Sequence, residues 1–349
     1  MFQLSKINSN PLGYSKVFII AEAACNHMCS LELAKAMIEC AAAAGVDAIK
    51  FQTYKGERIV TKYAPAFWGN ETMKQTEYYK RLDRFNKEDY AYLFEYATKR
   101  NILPFSTPFG IEDATMLNEL GMQIFKIPSF EIVNLDLVEH IASFGKPIIL
   151  STGAATYEEI NVAIETVIGQ ENYNLALMAC TLSYPTSNEN ANLLRIKTLQ
   201  DHYPDFLIGM SDHTEPDENM VIPAISVALG ARIIEKHYTI SRTMSGSGHF
   251  FSLEPNDLTK MVKNIRLCEK VMGDGVIGTA ECEKRAKAGG RKSIVASQDI
   301  EIGETITRDM LTLKRPGTGM CPSKIGETIG KKAIVRIGED TQIEFKKLS

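Results

Sequence analysis

The amino-acid sequence predicts an α/β protein, a (β/α)8 barrel followed by a small, mostly β domain. Three observations carry that expectation. Short apolar runs alternate with helix-period segments eight times over about 275 residues, the usual size of such a barrel. The turn after the first run, Ala23-Ala-Cys-Asn-His-Met28, holds no glycine. The GxGxxG turn of a dinucleotide-binding open sheet is therefore missing. Beyond Met272 the texture changes to short β-prone runs separated by Ile302-Gly-Glu and Ile337-Gly-Glu turns.

Val17-Phe-Ile-Ile-Ala-Glu22 shows no polar alternation, as expected of a strand covered on both faces. Leu31 to Ala44 is helical by period and alanine content, and Gly45 ends it. Asp47 to Gln52 is the second strand. Thr53 to Arg84, rich in Tyr, Lys and Glu, reads as a loop or lid over one mouth of the fold. The strands Ile102–Thr107, Gln123–Ile127, Pro147–Ser151 and Leu175–Cys180 then alternate with the helices Lys87–Arg100, Ile111–Leu120, Leu135–Phe144 and Tyr157–Ile168. A long loop leads to a helix over Asn192–His202. The seventh strand is Ile208-Gly-Met-Ser-Asp-His-Thr214, followed by helix Glu218–Gly230. The eighth is Ala231-Arg-Ile-Ile-Glu-Lys-His237, and Leu258–Met272 closes the ring. The barrel thus spans 1–275 and a linker 276–288. The small domain, 289–349, has strands expected at 293–296, 333–337 and 342–345.

The 349 residues carry a net charge of −4, with 44% hydrophobic and 23% charged side chains, ordinary for a soluble globular protein. That balance offers no clustered basic face for nucleic acid. No run reaches the roughly 18 apolar residues of a membrane span. Met1 to Ser15 lacks the apolar core of a signal peptide. Cys25 and Cys29 are the one close pair among seven scattered cysteines, without a second pair to complete a zinc site. The expected compartment is the reducing cytoplasm, with the thiols as small core hydrophobes.

Barrel active sites lie at the C-terminal ends of the strands. Those ends supply Glu22, Lys50 with Gln52, Thr107, Lys126 with Ser129 and Glu131, Ser151, Tyr184, Ser211 with His213, and Glu235 with His237. Strand alternation places Lys50 with Gln52 on one face, and Glu235 with His237 on another. The general polarity of loops accounts for Thr107 or Ser151 taken singly. It does not account for Lys50 and Lys126, which sit inside apolar strands where a lone ammonium is costly. With Thr107, Ser129 and Ser151 the two lysines form a cationic, hydroxyl-rich cradle suited to phosphate. Either His213 or His237 alone would read as a hydrogen-bonded core histidine. At equivalent ends of neighbouring strands they are candidate ligands for manganese, iron, cobalt or zinc. His140 and His202 fall in helices and read as surface residues, while His27 and His249 could line the mouth. In the small domain the stiff loop Lys314-Arg-Pro-Gly-Thr-Gly319 presents Arg315, by composition no more than a solvated charge.

Ile20-Ala-Glu22 with Asn26-His27, Ala48-Ile-Lys-Phe-Gln52, Ser106-Thr-Pro-Phe109, Lys126-Ile-Pro-Ser129 and Leu150-Ser-Thr-Gly153 make up one run of motifs. Ser183-Tyr-Pro185, Ser211-Asp-His-Thr214, Ile234-Glu-Lys-His237, Phe251-Ser-Leu-Glu-Pro255 and Arg315-Pro-Gly-Thr-Gly319 continue it through both domains. On these motifs the chain resembles the bacterial sialic acid synthases. These are nonulosonate synthases that condense phosphoenolpyruvate with an N-acylated amino sugar. The resemblance implies a barrel with an antifreeze-like (SAF) domain, working as a domain-swapped homodimer. It implies that Lys50, Thr107, Lys126, Ser129 and Ser151 hold phosphoenolpyruvate. His213 and His237 would bind a divalent metal, usually manganese, with magnesium or cobalt as alternatives. The metal would polarise the sugar aldehyde as a Lewis acid. Carbon three of phosphoenolpyruvate attacks that aldehyde, water adds at carbon two, and phosphate leaves by C–O cleavage. Glu131 is the implied acid/base, with Glu22 and Glu235 ordering water. Gln52 and Tyr184 would contact the sugar, and Arg315 would enter the barrel of the other subunit to hold the N-acyl group.

Three positions depart from the family pattern, all at the sugar end. Gly248, in Gly246-Ser-Gly-His249, stands where the family commonly has the aspartate of Gly-Pro-Asp. Leu182 replaces a polar residue frequent in sialic acid enzymes, and Phe130 replaces a small residue between Ser129 and Glu131. N-acetylmannosamine, giving N-acetylneuraminate, is the expected acceptor. A 6-deoxy diacetamido sugar, giving legionaminate or pseudaminate, is the alternative. An aldulosonate-phosphate synthase would need further basic residues for a second phosphate. A non-catalytic carbohydrate-binding protein would not need so many ionisable groups at one mouth.

Overall fold

Parallel strands need a crossover between each pair, and this chain places a helix after every barrel strand. The computed structural model describes Leu4 and residues 16–66, 74–246 and 248–349. Apart from Leu4, the N-terminal stretch Met1 to Ser15 lies outside the described residues, as do residues 67–73 of the excursion. The strands are β1 (Phe18–Ala24), β2 (Ala48–Thr53), β3 (Leu103–Pro108) and β4 (Phe125–Ile127). They continue as β5 (Ile148–Ser151), β6 (Leu175–Cys180), β7 (Leu207–Asp212) and β8 (Ile233–His237). Parallel ladders join them in the order β3-β2-β1-β8-β7-β6-β5-β4. β3 and β4 lie side by side across the remaining seam, so the sheet curls into a near-closed barrel.

The crossover helices are Leu31–Ala44, Lys87–Thr98, Ile111–Glu119, Leu135–Ala142, Tyr157–Gly169, Arg195–His202, Val221–Ala228 and Pro255–Val271. Local chemistry sets several ends. Ser30 caps the first helix and Gly45 closes it in the left-handed conformation, φ 81°. Asn86 with Asp89, and Thr156 with Glu159, form capping boxes. The last helix starts at Pro255 rather than Leu258, because Pro at the first helical position gives up an amide that would have no partner there anyway. Ile19, Ile20, Ile49, Phe51, Phe105 and Phe125 are fully buried in the barrel wall. Gly209 lets β7 lie close between its neighbours: a Cβ there would stand 2.7 Å from the Ile233 carbonyl oxygen and collide with the Met178 sulfur. The excursion after β2 carries two short helices, Gly56–Ile59 and Gln75–Leu82, rather than loop alone. Among the described residues no helix is long and apolar enough to cross a membrane.

The second compact unit covers Gly275–Ser349. Its sheet is a two-stranded antiparallel ladder, β9 (Ser293–Ala296) with β10 (Leu311–Lys314). The segments expected as strands at 333–337 and 342–345 make single bridges instead, Ile300 with Ile337, Ala333 with Leu348 and Val295 with Gln342. Ala333, Ile337 and Ile343 still fill the core beside Ile294 and Ile306, while Ile334 and Val335 are exposed. The stretch 276–288 contains a short turn of helix at Glu281–Glu283 and the start of another, Lys284–Gly290. All seven cysteines are free, but only Cys25 and Cys180 are buried; Cys282 and Cys321 are exposed.

Candidate active site

Register decides which strand-end side chains meet. Glu22 of β1 is level with Lys50 of β2 and with His237 of β8, and Ser211 of β7 is level with Glu235 of β8. Because alternate residues share a face, these groups converge at one end of the barrel.

Lys50 Nζ lies 2.7 Å from Glu22 Oε2 and 3.7 Å from Glu235 Oε1, and donates to Thr107 Oγ1 at 2.8 Å. Gln52 Nε2 donates to the other oxygen of Glu22 at 3.1 Å, and Ser211 Oγ to Glu235 Oε1 at 3.3 Å. Burial pushes the Glu22 carboxyl up to about 7; Lys50 pulls the other way and the charge of Glu235 adds to the rise. Burial acts on Glu235 in the same sense, but Lys50 and Lys126 hold that carboxyl below its ordinary value. Two buried carboxyls flanking one ammonium thus keep one proton to near neutrality, mostly on Glu22.

Lys126 is 2% exposed, and burial holds its ammonium below the ordinary lysine range. It donates to Ser151 Oγ at 2.6 Å and to the Ile127 carbonyl at 3.2 Å, both neutral acceptors. Ser129 Oγ accepts from the Gly153 amide at 2.9 Å, which fixes the turn beside it. Lys50, Thr107, Lys126, Ser129 and Ser151 are all buried, and hydrogen bonds join Lys50 to Thr107 and Lys126 to Ser151.

The imidazoles of His213 and His237 stand with ring centroids 5.4 Å apart. His213 Nδ1 donates to the Thr181 carbonyl oxygen at 2.9 Å, which leaves Nε2 as the ring nitrogen a metal would take; burial works to lower the imidazole's value, but Cys180 beside it raises it above the ordinary one. His237 Nδ1 and Glu235 Oε2 are buried without a hydrogen-bond partner among the described residues. Burial, then the positive neighbours led by His213, keeps His237 neutral, well below the ordinary imidazole value. Two neighbouring imidazoles could supply two ligands to a divalent cation, with the remaining positions left to water or substrate. No group of three or more His, Cys, Asp or Glu placed to hold a metal ion occurs among the described residues.

Tyr184 forms the aromatic edge of this mouth, 4.2 Å from the His213 ring centroid, 5.8 Å from Phe251 and 6.5 Å from a near-parallel Phe130. Glu131 stands apart from the buried network; its Oε2 accepts from Asn134 Nδ2 at 2.8 Å. Arg315, in the small domain, donates from Nε to the Gly290 carbonyl at 2.8 Å. His27 and His249 do not face solvent. His27 is stacked on Phe85 at 4.6 Å and its burial drops its value to about 4, and His249 Nδ1 bonds Thr239 Oγ1 at 2.7 Å. Sequence reasoning gave no role to Asp212, Lys236, Asn26 or Phe251. Asp212 and Lys236 carried a signal, as charges inside apolar strands, but alternation set them on the face away from the mouth.

The strand ends of the barrel gather two lysines, two carboxyls and two imidazoles, and a small domain with a two-stranded sheet follows it in the chain. The NeuB family model matches residues 37–277 and the SAF domain model residues 291–349. The chain is 39% identical over 335 residues to the N,N'-diacetyllegionaminic acid synthase of Campylobacter jejuni, covering 94% of this chain and 99% of that protein. It is 35% identical to the N,N'-diacetyllegionaminic acid synthase of Legionella pneumophila, over 97% of each chain. The solved N-acetylneuraminic acid (sialic acid) synthetase of Leptospira borgpetersenii, in complex with citrate, superposes with a TM-score of 0.70 at 39% identity, covering 77% of this chain and 90% of that one. The chain belongs to the NeuB family and is an enzyme with a C-terminal SAF domain.

Proposed function

We propose that the chain is a nonulosonate synthase that joins phosphoenolpyruvate to an open-chain N-acyl amino sugar and releases phosphate. One observation carries this reading. Lys126 is a buried ammonium whose hydrogen-bond partners are both neutral oxygens, and an anionic substrate would supply a direct counter-charge. Lys50, with Thr107 at 2.8 Å, would take a second anionic group of the same molecule, with Ser129 and Ser151 as donors.

Carbon three of the bound enol phosphate attacks the aldehyde carbon. The aldehyde oxygen takes a proton, water adds at carbon two, and phosphate departs as the C–O bond breaks. A carboxyl near 7 can hold or release a proton at neutral pH, so Glu22 is the proton carrier best supported, with Glu235 as its ionised partner and Glu131 at the rim. His213 and His237 would hold a divalent metal, manganese with magnesium or cobalt as alternatives. When bound, that metal supplies Lewis-acid polarisation of the aldehyde oxygen. Gln52 and Tyr184 would contact the sugar. In a domain-swapped homodimer, Arg315 would reach the barrel of a second copy. The seven free thiols agree with a cytoplasmic setting.

For the acceptor we favour a 2,4-diacetamido-6-deoxy sugar. Phe130 against Tyr184 makes an apolar wall suited to a methyl group in place of a hydroxyl, and the relatives named as legionaminic acid synthases support the same choice. N-acetylmannosamine, the first expectation from sequence, is the second reading, supported by the sialic acid synthetase neighbour. Phosphate release from phosphoenolpyruvate with Mn²⁺ tests both. Faster turnover of the diacetamido sugar supports the first, faster turnover of N-acetylmannosamine the second, and silence with both overturns the synthase reading.

A further inference from the structure

On the outer face of β7 and β8, directly behind the two histidines, lies a buried charge pair that the proposed chemistry does not use. Lys236 Nζ stands 2.6 Å from Asp212 Oδ2 and also donates to the Thr214 carbonyl at 2.7 Å and to Thr214 Oγ1 at 3.1 Å. Asp212 Oδ1 accepts from the Thr214 amide at 2.9 Å and from Thr214 Oγ1 at 2.7 Å. Asp212 is 1% exposed and Lys236 and Thr214 are 2% exposed. All three ammonium protons have acceptors, so the network is closed.

Its position in the chain is what matters. Asp212 and Thr214 flank His213, and Lys236 precedes His237, with Asp212 level with Lys236 in the ladder. The strands are already paired by their backbones, and a buried ion pair adds little stability over apolar residues of similar size. It does fix one geometry.

We propose that the Asp212–Lys236 pair, closed by Thr214, is a brace that sets the spacing of His213 and His237 for a divalent cation. These are positioning residues, acting through the imidazoles. The inference rests on the two-histidine reading of the metal site.

The test measures Mn²⁺ binding by calorimetry, and by the EPR signal of free Mn²⁺, in the full chain. The double variant Asp212→Leu/Lys236→Met removes both charges together, leaving no uncompensated one. It is expected to keep its circular dichroism spectrum while binding Mn²⁺ about 10- to 100-fold more weakly, with little change in KM for phosphoenolpyruvate. Thr214→Val should weaken binding in the same direction, and Thr214→Ser should restore it. Parental Mn²⁺ affinity in a folded double variant overturns the brace. Should the double variant not fold, parental affinity in Thr214→Val overturns it. His213→Ala separates the two claims: if it binds Mn²⁺ as the parent does, the histidine site itself is wrong and the brace falls with it.

Discussion

Lys126 Nζ donates to Ser151 Oγ at 2.6 Å, and no carboxylate among the described residues lies within ion-pairing distance of it. Burial holds that ammonium below the ordinary lysine range although Glu235 acts in the opposite sense, so it costs the free enzyme stability that a bound anion would offset. Lys126→Met is therefore expected to raise the melting temperature of the free enzyme, by an amount corresponding to about 1 kcal/mol or more. The same change should cut kcat/KM for phosphoenolpyruvate by about 100-fold or more. Calorimetry and phosphate-release kinetics on one preparation check both signs.

The Glu22 carboxyl, raised from 4.5 to about 7, gives a pH dependence of definite sign. A carboxyl that holds its proton more tightly folded than unfolded makes stability fall as pH rises from about 4.5 to about 7, each unit of displacement being worth about 1.4 kcal/mol. Urea titrations across that window should show a steeper loss for the parent than for Glu22→Gln. Equal slopes would remove the shared proton from the account.

Chelation is expected to abolish phosphate release, with Mn²⁺ restoring it. His237→Ala should weaken Mn²⁺ binding by about 100-fold or more while leaving phosphoenolpyruvate-induced stabilisation in place, because Lys126 and Ser151 are untouched. Thermal shift with each ligand separately reads the two effects apart.

Gly209→Ala is a test of the barrel itself. The added methyl would press on the Ile233 carbonyl oxygen at 2.7 Å, which backbone cannot easily relieve. A loss of about 3 kcal/mol is expected by denaturant titration.

The departure at Gly248 also has a structural reason. A Cβ there would collide with Asn26 Oδ1, while Asn26 Nδ2 is held by the Tyr238 carbonyl at 2.9 Å and by Ser252 Oγ at 3.2 Å. Gly248→Asp should therefore destabilise the loop after β8 and not improve use of N-acetylmannosamine. Relative kcat/KM for the two sugars, with the melting temperature, checks it.

The sequence by itself determined the eight strands, their order and the residues at their C-terminal ends. Apolar runs that lack alternation have few other solutions, and polar residues closing such runs must face a mouth. It also exposed Lys50 and Lys126, since an ammonium inside an apolar strand demands an explanation. Tertiary structure decided what those groups meet. Only register brings Glu22, Lys50 and Glu235 within one network and sets one carboxyl near 7 while its partner stays ionised. Only packing shows Phe130 beside Tyr184, and Asp212 locked to Lys236 behind the histidines. A strand fixes the face of a side chain, but its partners come from neighbours distant in the chain, through distances of a few ångströms that local sequence does not encode.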